Sequence, residues 1–201
     1  TTLLGMLKEK GQEIVAVFVP ASDKYRSKYE PLIKFCSEHK IILICGKPSE
    51  LYNKIKSLNF DVVYSRGYPF KILGDLISRL KYAINFHPSL LPKHRGRYVH
   101  WAILDGDEES GITADLMDDK YDTGPVIGQM NHPVSIFETV ESLLRKDAER
   151  ERLLDQINRG NELRAVVQDE ENATEHFVKR DPVDSKIGPS KTCGTGFFML
   201  S

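Results

Sequence analysis

Asn85-Phe86-His87-Pro88 places an amide and an imidazole two positions apart at the end of an apolar run. In an extended chain, residues two apart face the same way, so both side chains project to one side of a strand. Pro88 and Pro92 each fix φ and lack an amide donor, which stiffens the segment that follows. A second polar segment, Met117 to Pro125, holds Asp118, Asp119 and Asp122 and closes on the turn signal Asp122-Thr123-Gly124-Pro125. A carboxylate from this segment beside the imidazole would make an acid–base pair able to move a proton. Each feature has a bland reading when taken alone. A strand-end His is often a satisfied structural group, and Asp-Thr-Gly is often only a turn.

Groups of this kind need a scaffold, and the chain supplies one. Leu3, Leu4 and Leu7 predict one helical face, stopped by Gly11. The unbroken run Ile14 to Val19 reads as a strand buried on both faces. Leu32, Ile33, Phe35 and Cys36 predict a helix, and Ile41 to Cys45 a second buried strand in which Cys45, like Cys36, is a small core residue. Ser49 is the expected N-cap of a short helix carrying Leu51 and Ile55. Asp61 to Ser65 predicts a third strand, Phe70 to Ile77 a helical stripe, and Tyr82 to Phe86 a fourth strand.

Strands alternating with helices predict a Rossmann-like α/β fold: an open, mostly parallel sheet with helices on both faces. Ligands of such sheets bind at the carboxyl ends of strands, where Asn85 and His87 lie. Further on, the pattern predicts a helix over 98–104, strands over 111–117 and 126–130, and a charged helix over 138–158 capped by Gly160. The run Arg145 to Arg152 reads as a solvated face with i,i+4 pairs. Beyond Asn161 periodicity is poor, and Gly188 to Gly196 predicts a loop or frayed tail. The expected organisation is a catalytic domain over 1–160 and a short C-terminal extension over 161–201. The chain opens on a helix, so the first strand of the fold is expected to be missing.

Composition narrows the function. The chain has 201 residues, 40% hydrophobic and 28% charged, with a formal net charge of −1. That balance disfavours a nucleic-acid partner, which needs a basic face. Three cysteines without a CxxC spacing fit a reducing compartment and no zinc or redox pair. His94, His100, His132 and His176 lack metal-ligand spacing, so no metal is expected. Trp101 is read as core. No GxGxxG follows a strand and no Walker loop occurs, which argues against a nicotinamide cofactor. No run reaches the length of a membrane span and no signal peptide is visible, so the expected location is the cytoplasm.

Asn85-Phe86-His87-Pro88-Ser89-Leu90-Leu91-Pro92 with Arg95-Gly96 resembles the signature of the folate-dependent formyltransferases. Gly106, Gly111-Ile112-Thr113, Met117-Asp118, Asp122 to Ile127 and Gln129 follow in that family's order. Gln168 to Thr174 and Lys179 to Asp184 resemble the segment that closes the domain in its sugar-amine and methionyl-tRNA branches.

The resemblance implies formyl transfer from the co-substrate 10-formyltetrahydrofolate to an amine, with Asn85, His87 and Asp122 as catalytic residues. Asn85 and a protonated His87 would donate hydrogen bonds to the developing oxyanion, and His87 would protonate the departing folate nitrogen. Asp122 would orient His87. Asp118, Asp119, Lys120, Tyr121 and Asp122 would hold the pterin through backbone groups. Pro69, Phe70 and Lys71 would line the same pocket, and Arg97 would meet folate or an anionic substrate. Arg95-Gly96-Arg97 points to a nucleotide-linked 4-amino sugar as acceptor. Glycinamide ribonucleotide, methionyl-tRNA, a formyltetrahydrofolate hydrolase and a folate-binding regulatory module remain open, as does assembly into a homodimer.

Overall fold

The computed structural model describes residues 2–20, 26–68, 70–72, 74–96, 99–149, 166–172 and 196–200. In chain order the elements are α1 (Thr2–Glu9), β1 (Ile14–Pro20), α2 (Arg26–Glu38), β2 (Ile42–Gly46), α3 (Pro48–Ile55), β3 (Val62–Arg66), α4 (Gly74–Ile77), β4 (Tyr82–His87), α5 (His100–Leu104), β5 (Glu109–Leu116), β6 (Val126–Pro133), α6 (Val140–Glu149) and β7 (Gly196–Leu200). They form a Rossmann-like α/β fold with an open sheet. The chain divides into two compact units, Thr1–Ile84 with Gly194–Ser201, and Asn85–Cys193. β4 carries the chain from the first into the second.

In the first unit the strands run in the order β2-β1-β7-β3. β1 pairs with β2 in parallel, from Ala16↔Ile42 to Pro20↔Gly46. β7 lies antiparallel to both β1 and β3, so β1, β2 and β3 share one direction and β7 is reversed between them. The expected frayed tail is therefore corrected at residues 196–200. Phe197-Phe198-Met199-Leu200 is a run too short for periodicity to separate strand from loop, yet Met199 is completely buried. Val17, Phe18, Leu4 and Leu7 share that complete burial.

Two further corrections follow from topology and local chemistry. β2 ends the strand order, and Ile42 is 51% exposed and Cys45 exposed, so this strand is not buried throughout and Cys45 is not a core residue. Cys36 is buried, as expected, and burial pushes its thiol up to about 11. Helix α3 begins at Pro48, so Ser49 is inside it and not its N-cap. Proline suits the first helical position because the amide it lacks would have no partner there. Glu50 closes the turn by accepting the Lys47 amide at 3.1 Å.

In the second unit β5 and β6 pair antiparallel from Glu109↔Pro133 to Asp115↔Val126, with a register shift between Ala114 and Asp115. α6 runs over Val140–Glu149, and the remainder of the expected helix, with Gly160, lies outside the described residues. The solvated-face reading of its charges needs correction at Asp147, which is 1% exposed. Its carboxylate meets the buried His132 of β6, Nε2–Oδ1 2.8 Å. Lys146 reaches not along the helix but back to Glu138 and the Pro133 carbonyl. No helix among the described residues is long and apolar enough to cross a membrane.

Candidate active site

β4 delivers the first two groups. Ala83, Ile84 and Phe86 are buried, which fixes the strand, and Asn85 and His87 leave it on the same side. The proline-rich segment after β4 is pinned by Thr113 of β5. Its hydroxyl donates to the Ser89 carbonyl at 2.6 Å and accepts from the Leu91 amide at 3.0 Å. Gln129 of β6 donates to both Thr113 Oγ1 and the Leu91 carbonyl, at 2.8 and 2.7 Å. These four groups explain why Thr113 and Gln129 accompany the Ser-Leu-Leu-Pro run.

The β5–β6 connection delivers the carboxylate. Asp118 ties the loop to itself, accepting from the Thr123 hydroxyl and the Lys120 amide at 2.8 Å each. A Cβ at Gly124 would stand 1.6 Å from the Leu116 carbonyl oxygen, so only glycine lets the chain pass. Asp122 sits at φ 56, in the left-handed region that non-glycine residues seldom occupy. That conformation is held from behind: Gln168 Nε2 donates to the carbonyls of Asp122 and Gly124 at 3.0 and 2.7 Å. Gln168 Oε1 accepts in turn from Nε and Nη2 of Arg95 at 3.0 and 2.8 Å.

The result is one hydrogen-bonded cluster within the second unit. Asp122 Oδ2 lies 3.4 Å from His87 Nδ1 and accepts the Gly96 amide at 2.8 Å. Asp122 Oδ1 accepts from Asn85 Nδ2 at 3.0 Å. The same nitrogen donates to Asp115 Oδ1 at 3.2 Å. His87 Nε2 meets the His94 carbonyl at 2.9 Å, so both ring nitrogens face acceptors.

Electrostatics follows from that company. Burial works against charge on His87, but the Asp122 carboxylate outweighs it and raises the imidazole to about 9. It is thus a cation at neutral pH. Burial also acts to raise Asp122, but His87 and the donors from Gly96 and Asn85 hold it below the ordinary carboxylate value. Asp115 goes the other way. Burial, reinforced by the negative Asp122, raises it well above the usual range and favours its neutral acid.

Asp122 therefore brings Asn85 and His87 together, one on each carboxylate oxygen. Both N–H groups of Asn85 and both nitrogens of His87 are engaged in this arrangement. Donation to an oxyanion requires one of those bonds to be given up. Asp119, Lys120 and Tyr121 are exposed on the loop, while Asp118 spends its carboxylate within it. Phe70 and Lys71 belong to the first unit, where Phe70 is 42% exposed and packs edge-on against Tyr68 with ring centres 5.7 Å apart. Pro69 and Arg97 lie outside the described residues. Trp101 is half-buried.

Sequence reasoning missed Asp115, the Gly96 amide and Gln168. Asp115 carried a usable signal: it is the one charge within the apolar run Gly111 to Leu116. Among the described residues no group of three or more His, Cys, Asp or Glu is placed to hold a metal ion.

The chain is similar to the methionyl-tRNA formyltransferases of Ehrlichia chaffeensis (33% identity over 155 residues, 72% of this chain and 51% of that protein) and Streptococcus pyogenes (30% over 188 residues, 87% and 60%). It thus spans between half and three-fifths of the length of these relatives. Among solved structures it resembles glycinamide ribonucleotide transformylase 1 from Symbiobacterium toebii, with a TM-score of 0.64, 21% identity, and coverage of 84% of this chain and 87% of that one. It also resembles WlaRD, a sugar 3N-formyl transferase, with a TM-score of 0.65, 22% identity, and coverage of 87% and 64%. At those identities the structures speak for the fold. The family model for formyl transferase matches residues 2–155, and the chain belongs to that folate-dependent formyltransferase family.

Proposed function

We propose that this protein moves a formyl group from 10-formyltetrahydrofolate to a primary amine. The observation that carries the reading is the buried imidazole of His87 held against Asp122, with the Asn85 amide on the same carboxylate. The amine nitrogen attacks the formyl carbon, and negative charge builds on the formyl oxygen. A fixed cation in a water-poor setting stabilises that charge, and one such stabilising group is typically worth about 100- to 1,000-fold in rate. An Asn85 N–H released from a carboxylate adds a second donor. The carbon–nitrogen bond to the folate then breaks, and His87 returns a proton to the departing nitrogen. The proton lost by the amine goes to Asp122 or through it to water. The backbone of the 118–122 loop is the proposed seat of the pterin.

The acceptor is a separate question. Likeness to proteins named methionyl-tRNA formyltransferase, at 30–33% identity, supports the amine of a charged tRNA. The sugar reading drew on Arg95-Gly96-Arg97. Arg95 is 1% exposed and committed to Gln168, which weakens it as a substrate ligand. The tRNA amine is therefore the first acceptor to try, with the amino sugar second.

One experiment separates the readings. The protein is incubated with 10-formyltetrahydrofolate and, in turn, charged initiator tRNA, amino-sugar nucleotides, glycinamide ribonucleotide and buffer alone. Formylated methionyl-tRNA is the expected product. Formylated sugar supports the second acceptor, formate in buffer alone marks a hydrolase, and folate binding without any product overturns the enzyme reading.

A further inference from the structure

Asp115 is a buried acid that the transfer reaction as described does not use. It lies on β5, where the register against β6 shifts between Ala114 and Asp115. Bulges of this kind re-aim a side chain. Here the re-aimed residue is 1% exposed, preceded by Thr113 and Ala114 at 0%. Burying a carboxyl in such a place is costly without a partner. Its partner is Asn85, whose Nδ2 donates to Asp115 Oδ1 at 3.2 Å and to Asp122 Oδ1 at 3.0 Å.

The orientation of an Asn amide is set by the groups around it. An ionised Asp122 can only accept, so the nitrogen must face it, and the second hydrogen then falls to Asp115. Neither acid alone fixes the amide plane; two acceptors on one nitrogen do. We propose that Asp115 is a positioning residue for formyl transfer, holding the Asn85 amide in the plane from which it meets the reacting group. This rests on the transferase reading above. A neutral Asp115 does so without placing a second negative charge beside Asp122, and its longer hydrogen bond is the one more easily surrendered to a developing oxyanion.

The test is a mutant cycle on the intact chain with 10-formyltetrahydrofolate and whichever acceptor the wild type uses. Asp115→Asn keeps the shape and the oxygen acceptor and has the charge of the neutral acid. It should retain kcat within about threefold, because the interaction it needs survives. Asp115→Ala should lower kcat by about 100-fold, the scale of a misplaced catalytic group, with KM for the folate unchanged. On an Asn85→Ala background, Asp115→Ala should cost nothing more, since the group it positions is gone.

Additive losses in the double variant overturn the inference. So does an Asp115→Asn variant that loses as much activity as Asp115→Ala while keeping its melting temperature. If Asp115→Ala does not fold, Asp115→Asn and the Asn85→Ala/Asp115→Asn double variant carry the decision alone: wild-type-like kcat in the first and no added loss in the second support the proposal, and any other pattern overturns it. A wild type that transfers formyl to no amine would instead sink the transferase reading.

Discussion

Among the described residues the second unit holds three buried imidazoles paired with Asp, and the two tighter pairs, His94–Asp107 at 2.7 Å and His132–Asp147, are not the candidate site. His132 and Asp147 meet at 2.8 Å with side chains 0% and 1% exposed. His87 and Asp122 meet at 3.4 Å with 6% and 13% exposed. Of these two pairs, the first joins a strand to a helix, and its imidazole Nδ1 meets the Pro133 carbonyl at 3.5 Å. The second shares its carboxylate with the Gly96 amide and the Asn85 amide, faces Asp115, and rests on a loop residue in a left-handed conformation. A His–Asp contact is therefore not the mark of chemistry here. The mark is a carboxylate with more partners than packing requires, presented where a strand ends.

Breaking each pair should separate the two roles. His87→Ala and Asp122→Ala should each lower formyl transfer by about 1,000-fold or more, the combined scale of oxyanion stabilisation and proton transfer. Folate binding, followed by isothermal titration, should persist. His132→Ala should do the reverse. It takes the imidazole partner from the buried Asp147 carboxyl, and losing a buried hydrogen-bond partner costs roughly 1–3 kcal/mol of stability. Urea unfolding should show that loss while kcat per folded molecule stays near wild type. A His132→Ala enzyme that stays stable but stops turning over would reverse the assignment of the two pairs.

How much of this could be read from the residues follows the same divide. The strand-end position of Asn85 and His87 was legible because a buried strand announces itself by an unbroken apolar run, and the two-residue period fixes which side chains share a side. Asp147 was hidden because a run of mixed charges on a helix looks solvated whichever member turns inward. Asp115 showed itself only as the one charge in the run Gly111 to Leu116, and the register shift beside it leaves no trace in composition. β7 was hidden because five residues cannot display a period, and its reversed pairing between β1 and β3 depends on contacts distant in sequence. Gln168 sits 46 residues from the loop it clamps, a distance over which no local rule operates.

The pH dependence offers a finer cut. His87 has its imidazole raised from 6.5 to about 9. The stability its charge contributes is fully present below about 6.5 and is lost as pH rises through 9. Transfer needs the same cation, so kcat should stay level through neutral pH and fall about tenfold per unit above about 9. Asp122 is lowered from 3.8, so its contribution is present above that value and lost only as pH falls through the lowered one. The two groups titrate as a pair, and the profile reports the pair. A fall in kcat centred near the ordinary histidine value, about 6.5, would mean that Asp122 does not hold the proton on His87 in the working enzyme.

The smallest effect expected concerns Gln168, which distinguishes the candidate site from the structural pair by bracing it from outside the cluster. Gln168→Ala removes two donors to the Asp122 and Gly124 carbonyls and the acceptor for Arg95. Leaving buried polar groups in that condition costs roughly 1–3 kcal/mol, shared between overall stability and the loop alone. kcat should drop about tenfold, because Asp122 would relax from its left-handed backbone. Gln168→Glu divides the loss. The carboxylate still accepts from Arg95 but donates nothing to the loop. If bracing the loop is what matters, Gln168→Glu should be as slow as Gln168→Ala while recovering part of its stability. Should Gln168→Glu instead restore kcat, the anchoring of Arg95 and its neighbour Gly96, whose amide donates to Asp122, would be the part that supports the site.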